Sequence, residues 1–176
     1  MVSVGPASGG SGSSGGGLSQ PVSDAVIRRE LAASGLSANA RQAQLTPGGL
    51  AIAPVDAPLA VQAIIDAGNE IAHLPYVWGG GHARYVDTGY DCSGSLSFVL
   101  AAAGLLNTTM TSGQLMSWGK PGPGKWITVF AAPGHTFMYV AGLRFDTVAL
   151  AQTGSRWSNR PATEGGGFVA RHPPGF

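Results

Sequence analysis

A chain of 176 residues with 44 % hydrophobic content is the size of one domain and carries enough apolar side chain to close an ordinary core. Charged residues make up only 11 % and the formal net charge is +1, with no cluster of Lys and Arg, which excludes a nucleic-acid surface and gives no support to membrane-surface binding. A single cysteine permits no internal disulfide and no CxxC pair for structural zinc or thioredoxin-like chemistry, so neither a metal nor a cofactor is expected.

Met1 to Gln20 is Gly/Ser-rich with almost no large apolar side chains, and reads as a flexible tail, because it cannot offset the entropy of being ordered. It lacks the basic and apolar regions of an export signal, and no apolar run in the chain approaches the roughly 18 residues of a membrane span. An intracellular protein, export directed by sequence not present here, and an artefactual N-terminus all fit. Residues 21–55 read as a short helix and a connector. Ser23 or Asp24 caps the helix, Val26, Ile27 and Leu31 share a side, Gly35 stops it, and Leu45 to Val55 is extended around a Pro-Gly turn.

Residues 56–176 are expected to form the folded domain. Asp56 and Pro58 start a helix that runs to His73, with Leu59, Ala63, Ile64, Ala67 and Ile71 on its apolar side. The segment from Pro75 to Gly104 then holds the lone cysteine. A Gly-rich, aromatic stretch (Tyr76, Trp78, Gly79, Gly80, Gly81) precedes Cys92, and an apolar run (Leu96, Phe98, Val99, Leu100) follows it as a helix closing at Gly104. Cys92 therefore sits at a loop-to-helix junction, capped by Asp91 or Ser93, where free N–H groups and the helix dipole favour thiolate over thiol. The alternative is a small buried hydrophobe.

Residues 105–123 read as loop with one helical turn near Ser112 to Trp118. Trp126 to Ala131 and His135 to Val140 form a hairpin around Pro133-Gly134, Gly142 turns the chain into Leu143 to Leu150, and a short edge strand is expected around Gly167 to Arg171. Cysteine acyl transfer needs a thiolate, an imidazole within reach and a polar group that orients the ring. Of four histidines, His135 is the one on a strand downstream of the cysteine helix, although periodicity alone does not privilege it. His82 lies in a Gly-rich loop, His73 at a helix end and His172 in a Pro-rich tail. The four tryptophans read as core or groove wall.

Tyr76-x-Trp78-Gly79-Gly80, Asp91-Cys92-Ser93-Gly94, the polar Thr111, Ser112 and Gln114, and Pro133-Gly134-His135-x-x-x-Tyr139-Val140-Ala141-Gly142 together resemble the NlpC/P60 family of cell-wall peptidases over about Asp56 to Leu150. The resemblance implies an α+β fold with a papain-like core, a cysteine-bearing helix packed on an antiparallel β-sheet. It also implies a monomeric hydrolase outside the cell or in the wall, cutting peptidoglycan stem peptides after a γ-D-glutamyl residue. Under it Cys92 is the nucleophile and His135 the general base. Asp146 or Thr147, after Phe145, is the third polar residue, Asp146 being the better acceptor and Gln152 the next candidate. Tyr76, Trp78, Asp91 and Ser93 would border the substrate or the oxyanion, through the backbone N–H of Cys92 or Ser93 among others, and the insert from His82 to Asp87 would rim the groove. The chain departs from the family in Pro123-Gly124-Lys125, where an Asp is usual, and in the bulky Thr136-Phe137-Met138 after the histidine. A non-catalytic wall-binding domain, and a papain-like amidase or acyltransferase, are the alternatives.

Overall fold

The computed structural model describes residues 41–163 and 165–176. The tail at 1–20 and the helix expected after Pro21 lie outside the described residues. The stretch read as an extended connector around a Pro-Gly turn closes into a short hairpin at that turn. Strands β1 (Gln44–Leu45) and β2 (Ala51–Ile52) pair antiparallel, and the Asn69 side chain accepts from the Ala51 N–H and donates to its carbonyl, both at 2.9 Å. Ala43 and Ala51 are thereby buried in the same hydrophobic cluster as the rest of the domain.

Helix α1 (Leu59–Ile71) buries Val61, Ile64, Ile65, Ala67, Gly68 and Ile71, the spacing of a single helical face. Leu59, expected on that face, is 82 % exposed. It precedes Val61 by two positions, roughly 200° around the helix, so it points away from the core. Helix α2 (Cys92–Ala102) is apolar on nearly every side and buried from Cys92 through Ser97 and again at Val99 and Leu100. Its serines are satisfied internally: Ser95 donates to the Asp91 carbonyl at 2.7 Å, and Ser97 accepts from the Met110 N–H at 3.0 Å. The helix stops as expected. Gly104 is left-handed (φ 71°), and the Leu105 N–H closes on the Leu100 carbonyl at 2.9 Å.

The short helix α3 (Ser112–Leu115) is held by a capping box between Thr111 and Gln114. A six-stranded antiparallel sheet is built from β3 (Lys120–Pro121), β4 (Ile127–Ala132), β5 (His135–Val140), β6 (Leu143–Phe145), β7 (Trp157–Ser158) and β8 (Val169–His172), in the order β3-β8-β4-β5-β6-β7. β8, expected at an edge, lies between β3 and β4. Pro121, which cannot donate to a ladder, sits in the edge strand β3 instead. The β4-β5 hairpin turns at Pro133-Gly134 in the expected register, with Ala132 opposite His135.

Met138 and Val140 of β5 enter the core with Ile127 and Val129 of β4, while α2 packs on β5 and α1 packs on α2. This is the expected α+β arrangement, a cysteine-bearing helix against an antiparallel sheet. No helix of the described residues is long and apolar enough to cross a membrane.

Candidate active site

Cys92 is the first residue of α2 and Asp91 is its N-cap. Asp91 Oδ1 accepts from the Gly94 N–H at 2.7 Å and stands 3.0 Å from His82 Nε2, while Oδ2 accepts from the Gly79 N–H at 3.1 Å. The Ser93 hydroxyl is buried and shared between Asp91 and His82. Asp91 and Ser93 thus spend their side chains on holding the turn, and His82 braces it. The backbone N–H groups of Cys92 and Ser93 open the helix and have no carbonyl one turn earlier within it, so they remain the donors that an oxyanion could use.

The same turn explains its glycines. A Cβ on Gly94 would collide with the Gly80 carbonyl oxygen, and one on Gly80 with the Gly89 carbonyl. The Gly-rich stretch and the cysteine turn are therefore pressed backbone to backbone, and the Asp91 N–H bonds Gly80 across the contact.

His135 opens β5, and its Nε2 lies 3.2 Å from Asp146 Oδ1, within ion-pair range but off the line of a hydrogen bond. The thiol of Cys92 is its second polar neighbour. The contact with Asp146 first, and then that with Cys92, pushes the imidazole up to about 10 against the opposing effect of burial.

Asp146 is buried and caps helix α4 (Thr147–Thr153), accepting from the Val148 N–H at 3.0 Å. Burial alone would raise its carboxyl. The His135 contact, the Val148 N–H and Arg144, whose Nε is 3.6 Å from Oδ2, outweigh burial and hold it below the ordinary value.

Of the three candidates for the orienting group, Asp146 stands beside His135. Thr147 is buried at the start of α4, and exposed Gln152 accepts from Arg144 Nη2 at 3.5 Å. Tyr76 is 48 % exposed, and its phenol is raised by partial burial and by the negative charges of Cys92 and Asp91, so it stays a donor near the sulfur. Trp78 is 84 % exposed and Trp157 fully buried, so the tryptophans do not share one role.

Sequence reasoning missed the two buried arginines. Arg144 donates to the Pro161 carbonyl at 2.9 Å and backs Asp146. Arg156 is fully buried, and burial lowers its guanidinium to about 10. It donates to the carbonyls of Ile71, Leu74, Pro75 and Tyr90 and to Ser95 Oγ. One side chain thus ties the end of α1, the loop entering Tyr76, the residue before Asp91 and the second turn of α2. Arginine in an irregular segment has no periodic signal that would mark it as buried. Arg156→Leu orphans these acceptors, each at about 1–3 kcal/mol, so a fall in stability on the order of 3 kcal/mol or more is expected by chemical denaturation. Arg156→Lys should fall between. A melting point within a degree or two of wild type in Arg156→Leu would show that the strut is dispensable.

The His135–Asp146 pair also predicts a pH dependence of stability. A histidine raised from 6.5 to about 10 on folding contributes stability that is complete below pH 6.5 and is lost as pH climbs through about 10. Asp146, lowered from 3.8, contributes stability present above that value and lost as pH falls through its folded value. The melting-point gap between wild type and His135→Ala should therefore be widest near pH 6 and close toward pH 10. A gap that widens with alkali would contradict the pairing.

No family model matches the sequence, and no curated protein does. Among the solved structures similar to this chain are the following. The P60 domain of antigen MAP1204 from M. avium subspecies paratuberculosis is 24 % identical with a TM-score of 0.48, covering 64 % of this chain and 93 % of that one. A hypothetical invasion protein of Mycobacterium tuberculosis is 19 % identical at 0.45, covering 64 % of this chain and 61 % of that one. The peptidoglycan hydrolase RipB of the same organism is 22 % identical at 0.49, covering 84 % and 80 %.

Proposed function

We propose that this chain is a cysteine peptidase of the NlpC/P60 type that hydrolyses amide bonds in peptidoglycan stem peptides, on the acyl side after a γ-D-glutamyl residue. The observation that carries the chemistry is the meeting of Cys92, His135 and a buried Asp146 at the junction of α2, β5 and α4. The substrate class rests on the motif resemblance around Asp91-Cys92-Ser93-Gly94 and Gly134-His135.

In this reading the thiolate of Cys92 attacks the scissile carbonyl, and the oxyanion collects the N–H groups of Cys92 and Ser93 with the Tyr76 hydroxyl alongside. The His135 imidazolium gives its proton to the leaving amine, which departs and leaves a thioester on Cys92. His135, now neutral, takes a proton from water as that water attacks the thioester, and the acid product leaves with the thiolate restored. Asp146 fixes the ring beside the sulfur, and its charge stabilises the imidazolium at each step. The protein acts outside the cell or in the wall, where this substrate lies.

The test is incubation with purified peptidoglycan and mass analysis of the soluble products. Fragments carrying a new γ-glutamyl carboxylate and a matching new amine are expected. An intact polymer, under conditions in which Cys92 is still alkylated by iodoacetamide, would leave a wall-binding domain as the better reading.

A further inference from the structure

A cleft of about 640 Å³ runs beside the candidate site, lined by Tyr76 and His135 and by Val148, Leu150, Ala151 and Gln152 of α4. Neither acid nor base other than these Tyr and His side chains lines it. α4 itself, TVALAQT, carries no charge, and the two arginines bonded to lining residues are buried and committed elsewhere, Arg144 to Asp146, the Pro161 carbonyl and Gln152 Oε1, and Arg156 to the carbonyls of Ile71, Leu74, Pro75 and Tyr90. The charge of His135 is answered within the protein by Asp146 at 3.2 Å.

A carboxylate entering this cleft would lose water and gain no cation, whereas an alkyl group would gain contact with Val148 and Leu150. Also lining it, the exposed Gln152 amide is a neutral hydrogen-bonding group suited to a carboxamide or a peptide bond. His135, which must reach the leaving amine, lines the cleft. Cys92, which keeps the acyl group, does not.

We propose that this cleft is the leaving-group subsite and that it disfavours a free carboxylate on the residue at the amine side of the scissile bond, so that stem peptides carrying a carboxamide there are cut in preference to those carrying the carboxylate. This rests on the peptidase reading above and adds to it a specificity surface formed by Val148, Leu150, Ala151 and Gln152.

The test uses two synthetic peptides identical except for a side-chain carboxamide or carboxylate on the residue that follows the scissile bond. Wild type should favour the carboxamide by at least about tenfold in kcat/KM. Ala151→Lys, an exposed position in α4 where lysine is a good helix former, should narrow or reverse that preference. Cleavage of the carboxylate peptide as fast as its partner would overturn the subsite while leaving the peptidase intact. If neither peptide is cut, the peptidase reading fails, and binding to Cys92→Ala then decides the subsite. Amide signals of Val148 and Ala151 that shift with the carboxamide peptide and not with the carboxylate uphold it, and equal shifts overturn it.

Discussion

Cys92→Ala is expected to leave a folded protein with no measurable turnover of peptidoglycan. In the proposed mechanism the sulfur is the only atom of that side chain the chemistry uses, and Cys92 sits at the first position of α2, where alanine is a good helix former. Removal of the sulfur from a site that is 8 % exposed leaves a gap of one atom, costing about 1 kcal/mol, so the melting point should stay within a few degrees of wild type. Turnover should fall by roughly 10⁴-fold or more, the scale on which loss of a nucleophile acts when the rest of the site remains. Cys92→Ser should be equally inactive, since a hydroxyl does not ionise beside imidazole as a thiol does.

A second readout separates this from simple misfolding. The contact with Cys92 is the second cause of the raised imidazole after Asp146, so titration of His135 by NMR in Cys92→Ala should move down from about 10 yet stay above its ordinary value. Wild-type turnover in the alanine variant would end the enzyme reading. A melting-point loss of ten degrees or more would return Cys92 to the role of a packed core residue.

Much of this arrangement was legible in the sequence because it depends on local signals. Gly104 after an apolar run gives the end of α2, Asp91 before Cys92 gives its cap, and Pro133-Gly134 between β-branched runs gives the hairpin that puts His135 first on β5. Each of these is decided within a few residues. What escaped is decided by distant partners. β8 is an interior strand because the two residues of β3 lie outside it, a pairing between segments some 50 residues apart. Leu59 is exposed because the core face of α1 is fixed by Val61, Ile64 and Ile71 against α2, and composition cannot rank one leucine against that stripe. Arg156 reaches carbonyls more than 60 positions away. His82, expected in a loop at the groove rim, also braces Asp91 and Ser93, a role visible only once Gly80 is seen pressed against Gly94.

Asp146→Asn should lower kcat by roughly 10³–10⁴-fold, the effect of replacing the carboxylate that orients a catalytic imidazole. The asparagine side chain can still accept from the Val148 N–H and cap α4, so the local fold should survive. It cannot stabilise the imidazolium, and its amide can turn a donor toward Nε2 where an acceptor is required. Since Asp146 is the largest cause of the raised imidazole, its loss should bring His135 down from about 10 toward 6.5, and iodoacetamide labelling of Cys92 should lose its dependence on a protonated imidazole over that interval. Arg144 would face a neutral group in the variant, so a modest fall in melting point should accompany the kinetic loss. Thr147→Val is the control, because its hydroxyl makes no hydrogen bond to His135, and it should cost less than about tenfold. A silent Asp146→Asn together with a damaging Thr147→Val would reverse the assignment. If both are silent while His135→Ala is inactive, the orienting group is neither, and Gln152, held off by Arg144 in this structure, would have to swing in to serve.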